Sequence, residues 1–79
     1  MIIMPYNRAV AITPSDSVDL PQGPTEAVYV GGAGIVVAVF PDGSAASFTA
    51  VAGEILALKV KRINSTSTTA TLLVALYRA

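Results

Sequence analysis

The stretch "YVGGAGIVVAVFPDGSAASF", residues 29–48, decides the fold class. Gly31, Gly32 and Gly34 close one apolar run and open another, the place where a nucleotide-binding glycine loop would also sit. A dinucleotide fingerprint needs G-x-G-x-x-G opening a helix, with an acidic residue about 20 positions later. Here Gly32-Ala33-Gly34 runs into Ile35-Val36-Val37, so the third glycine is missing and the residues that follow are β-branched. A P-loop would end in Gly-Lys-Ser/Thr, and the nearest lysine is Lys59. The glycines turn the chain and hold no phosphate. Gly32-Ala33 suits a two-residue type II′ hairpin loop, whose first position needs φ > 0. Pro41, Asp42 and Gly43 suit a type I turn, with φ set by Pro41 and the left-handed position taken by Gly43. Two such hairpins would join three strands into an antiparallel meander.

Outward from this stretch, helical periodicity is nearly absent. Runs of Val, Ile and Ala alternate with Gly, Pro, Asp, Ser and Asn clusters, which predicts strands over 8–13, 26–31, 34–40, 44–50, 54–63 and 70–77. Between the first two lies a proline-rich segment, 14–25, expected to be an extended loop or arm preorganised by Pro14, Pro21 and Pro24. Residues 1–79 are thus expected to form one all-β domain, a small antiparallel β-sandwich or jelly-roll-like barrel of about six strands. In 54–63, Leu56, Leu58 and Val60 point one way while Lys59 and Lys61 point the other, a half-buried strand. In 34–40 and 70–77 both faces are apolar, so each should be covered by the opposite sheet and again by a neighbouring subunit. Val37, Val39, Leu73 and Tyr77 are the candidate contacts there, with Pro14, Pro21 and Pro24 on the arm.

Composition supports self-association. A chain of 79 residues, 53% hydrophobic and 13% charged, has more apolar surface than one small core hides. It has no cysteine and no histidine, which removes disulfide staples and the usual zinc ligands and leaves oligomerisation. The same two absences leave a serine nucleophile without its common base, so no catalytic residue, metal site or cofactor is expected. Asp16 and Asp19 are close in sequence, yet a hard cation wants six to eight oxygens, and an Asx or Ser turn explains them better. Five basic and five acidic side chains cancel, which provides no field for nucleic acid or an anionic membrane. The cluster Lys59, Lys61 and Arg62 reads as a solvated strand face or an interface rim. "NSTSTTAT", 64–71, reads as a polar connection whose hydroxyls bond their own backbone. Neither a signal peptide nor a span of about 20 apolar residues is visible, so synthesis in a cytoplasm is expected.

The order of these segments resembles the small spike base proteins of gene transfer agents and related tailed phages. The residues that carry it are Ile12-Thr13-Pro14-Ser15, Tyr29-Val30-Gly31, Phe48, Val51 to Leu56, Thr68-Thr69-Ala70 and Val74-Ala75-Leu76-Tyr77. Together they span about residues 9–77, whereas "MIIMPYNR" at the start has no matching element. The resemblance implies a virion structural protein made in the cytoplasm of a bacterial host and placed on the outer capsid surface at the vertices. Its implied partners are further copies of itself (a pentamer or a trimer), the major capsid protein, and a spike or fibre protein. The family brings no catalytic residues. A different reading of the residues is a small β-sandwich binding module for a cell-surface glycan or protein. The absence of tryptophan and the presence of only Tyr6, Tyr29 and Tyr77 argue against it.

Overall fold

A computed structural model describes residues 6–21 and 23–78. Residues 1–5 of the unmatched N-terminal segment, and Gln22 of the arm, lie outside the described residues. Seven strands run in the order β1 (Arg8–Ala11), β2 (Ala27–Gly32), β3 (Gly34–Val39), β4 (Ala45–Ala50), β5 (Glu54–Leu56), β6 (Arg62–Ile63) and β7 (Thr71–Tyr77). They form two antiparallel sheets, one ordered β1-β7-β2-β5 and the other β4-β3-β6. The fold is an all-β sandwich. Val28, Val30, Leu73, Ala75 and Tyr77 from the first sheet meet Val36, Ala38 and Ile63 from the second, with Val60 joining them from the connection before β6.

The expected three-strand meander is corrected. β3 and β4 do form a hairpin: Phe40 N–H donates to Ser44 O, Gly43 N–H donates to Phe40 O, and Gly43 has φ 92°. β2 and β3, however, lie in different sheets, so Gly32-Ala33 is no hairpin loop but a step across the sandwich. The physical reason lies in close approach to residues 69–72. A Cβ on Gly34 (φ 155°) would lie 2.6 Å from Ala70 N, and one on Gly32 would lie 1.9 Å from Thr71 Oγ1. The chain crosses where only hydrogen fits.

The expected strand 54–63 is likewise divided. β5 pairs with β2 in the first sheet and β6 with β3 in the second, and residues 57–61 cross between them. Alternation survives the crossing: Val60 is buried, Leu56 and Leu58 pack on the core, and Lys59 stays exposed. Thr25, fully buried, pins the crossing by donating its hydroxyl to Leu58 O (2.8 Å) and accepting from Val60 N–H (3.1 Å).

The described residues of 14–25 do not project. Ser15 N–H donates to Ile63 O, Leu20 N–H to Lys61 O and Thr25 N–H to Val60 O, so they run antiparallel along residues 60–63. The radius of gyration, 11.4 Å, agrees with about 11.6 Å for a compact chain of this length. Of the two expectations for this segment, loop or arm, the described residues fit the loop, a strap that covers the β6 edge of its own sheet. Beyond β6, hydroxyls take over the same task on β3. Thr69 Oγ1 accepts from Ile35 N–H (2.8 Å) and Thr68 Oγ1 from Val37 N–H (3.1 Å).

Candidate assembly surface

Three of the residues expected to touch a partner are interior. Val39 (3% exposed), Leu73 (4%) and Tyr77 (8%) are buried in the subunit itself. The Tyr77 hydroxyl donates to Gly23 O (3.0 Å), which ties the strap to β7, and burial pushes the phenol above its usual pKa. Val37 and Pro14 are half-buried, while Pro21 and Pro24 are exposed.

The error on β7 is one of parity. Leu73, Ala75 and Tyr77 face the core, so their neighbours Leu72, Val74 and Leu76 belong to the outer face. Across the sheet, Ala11, Val74, Tyr29 and Ile55 stand opposite one another in a single row through all four strands. No residue of that row is charged. Ile55 is 53% exposed and Tyr29 36%. Above the row Leu72 is 75% exposed and has φ 54°, a left-handed conformation that costs an L-residue about 1–2 kcal/mol. Folding alone does not account for a strained, exposed leucine, which makes it a contact candidate.

Several polar side chains are engaged within the subunit. Lys59 pairs with Glu26 (3.0 Å) and Arg62 with Asp19 (2.9 Å), so two cations of the basic cluster meet their own acids. Asp16 accepts from the backbone N–H and hydroxyl of Thr66, and these bonds hold its carboxyl below the usual aspartate range. Asp42 does the same with Ser44 in the β3–β4 turn. Asp16 and Asp19 thus serve different partners. Among the described residues, no three His, Cys, Asp or Glu side chains are grouped to hold a metal ion. The tyrosines do not form an aromatic platform either: Tyr77 is buried, Tyr6 half-buried, and Tyr29 belongs to the apolar row.

No protein-family model and no curated protein matches this chain. A solved structure does. One chain of "Capsid of native GTA particle computed with C5 symmetry" is 39% identical and superposes with a TM-score of 0.84, over 91% of this chain and 83% of that one. The chain belongs to the structural proteins of gene transfer agent (GTA) particles. As a GTA structural protein it is a virion component, and the sandwich described above is the subunit fold it brings to the particle.

Proposed function

We propose that this GTA structural protein is a head spike base. Copies close into a ring of five on the outer capsid surface at a vertex, seat on the major capsid protein and anchor a spike or fibre. The subunit is made in the cytoplasm of the bacterial host and joins the particle there, as a structural part without catalysis. The observation that carries this reading is the 39% identity to a chain of a capsid computed with C5 symmetry, over nine-tenths of the present sequence. The order of turns and apolar segments that resembles the spike base family supports the same role. The outer row Ala11, Val74, Tyr29 and Ile55, with Leu72 beside it, is the face offered to the capsid or the fibre. A face of that composition is unusual on a free monomer and ordinary on a subunit.

Electron microscopy of particles purified with and without the gene tests the proposal. Density should disappear from the vertices, together with any fibre, and return when the gene is supplied in trans. Particles that keep full vertex density without the gene would overturn it. Replacing Leu72 or Tyr29 by Asp should leave the subunit folded and abolish its co-purification with particles.

A further inference from the structure

The sandwich guards its strand edges unevenly. The β6 edge is covered by the strap, β3 beyond it by Thr68 and Thr69, and β5 is three residues long. β4 has six residues and no such cover. Among the described residues, Ala45–Ala50 make no hydrogen bonds except those to β3. Nor is there a charge anywhere from Gly43 to Gly53, and no proline. Natural edges of this length carry lysine, proline or a bulge against unwanted pairing. The bond from Phe40 N–H to Ser44 O sets the alternation, so Ala46, Phe48 and Ala50 bond to β3. Ala45, Ser47 and Thr49 turn their N–H and C=O groups outward.

A matching edge lies on the opposite side of the molecule. The chain passes from β4 to β5 through three residues, so those two edges share a side. Ile12 N–H donates to Leu73 O in the first sheet and Ser15 N–H to Ile63 O in the second, which puts β1 and β6 together on the other side. There the bond at Ile12 leaves Ala9, Ala11 and Thr13 with outward N–H and C=O groups. A groove of about 510 Å³ runs beside this edge; its walls are mostly apolar, from Val10, Ala11, Pro14, Val18, Leu20 and Pro21, with Thr13, Ser15 and Asp19 among them. An open strand edge next to a largely apolar groove is the arrangement that accepts an added strand.

We infer that copies of this chain join head to tail, β4 of one entering the groove beside β1 of the next. The occupant is a second copy because the two edges match: each offers the backbone groups of three alternate residues, and the side chains at those positions are small and uncharged on both, Ala45, Ser47 and Thr49 on one and Ala9, Ala11 and Thr13 on the other. The two edges lie on opposite sides, so the contact is heterologous, the kind that closes a ring and cannot close a two-fold dimer. This rests on the ring proposed above, and it names the two surfaces that make it.

Because the chain has no cysteine, single cysteines report the contact directly. Ser47→Cys and Ala11→Cys are both at exposed positions. Under oxidation or a short bis-maleimide, the double variant should give a ladder of covalent multimers on a denaturing gel. A mixture of the two single variants should stop at covalent dimers, and each alone should stay monomeric. Covalent dimers from Ser47→Cys alone would mean that β4 pairs with itself, and the inference fails. It fails equally if the native mass shows oligomers and no pair cross-links, or if the unmodified chain stays monomeric at millimolar concentration. Ser47→Lys restores an edge charge and should reduce the oligomer at least tenfold with an unchanged far-ultraviolet spectrum; retained oligomer overturns the inference. Vertex density without cross-links in particles refutes this contact and leaves the spike base standing. Cross-links in a chain absent from particles do the reverse.

Discussion

Thr25 is fully buried, and its hydroxyl answers two backbone groups, Leu58 C=O and Val60 N–H. Thr25→Val keeps the shape and leaves both groups unpaired, which should cost about 2–4 kcal/mol. In a domain this small the melting temperature should fall by about ten degrees or more. Thr25→Ser keeps the hydroxyl and should lose much less, and scanning calorimetry at fixed protein concentration separates the two. Leu72→Gly acts the other way. It removes left-handed strain of about 1–2 kcal/mol and little burial, so the subunit should be at least as stable while its attachment to particles is lost. Titration gives a window. Asp16 and Asp42 have depressed pKa values, so their contribution is present above the ordinary aspartate range and lost as pH falls through the lowered values. Tyr77 is raised, so its contribution is full below the ordinary tyrosine range and lost as pH climbs through the higher value. Urea midpoints should therefore be flat between about pH 5 and 9 and drop at both ends.

At the scale of the element, turn chemistry was legible where it is local. Pro41-Asp42-Gly43 sits between two strands that pair, and the left-handed position falls on glycine. Gly32-Ala33 carries an equally good local signal, but turn residues do not tell in which sheet the next strand will lie. That was decided by residues 69–72, far along the chain, which leave no room for a Cβ on Gly34. Two alanines test the distinction. Gly34→Ala meets backbone at 2.6 Å and should cost about 3 kcal/mol or prevent folding. Gly43→Ala meets open space and should cost only the left-handed conformation, about 1 kcal/mol. The alternation in 54–63 was also legible, yet it runs on through the crossing because Val60 still faces the core after the chain has left β5. On β7 the apolar character was plain and the parity was not, since a strand apolar on both faces does not say which set points inward.

For the whole molecule, composition already pointed to assembly: too few charges to cover the outside and too many apolar side chains for one core. The edges inferred to pair were not visible there, because they depend on what the strap and the threonines cover. The useful signal was an absence, the eleven residues from Gly43 to Gly53 without a charge. An interface made of backbone hydrogen bonds and small side chains should respond little to salt. The oligomer is expected to persist in 1 M sodium chloride and to dissociate in urea before the subunit unfolds. Sedimentation in the two solvents checks this, and dissociation by salt alone would point to an ionic contact instead.

β7 lies between β1 and β2, so the last strand of the sandwich fills the middle of its larger sheet. During synthesis the ribosome has released β1 to β6 before that place can be filled. Until then the outer row lacks Val74 and β1 has no neighbour to straighten it, although β4 is already paired with β3. A chain that lacks β7 thus has a larger sheet split in two, with β1 on one side of the gap and β2 and β5 on the other.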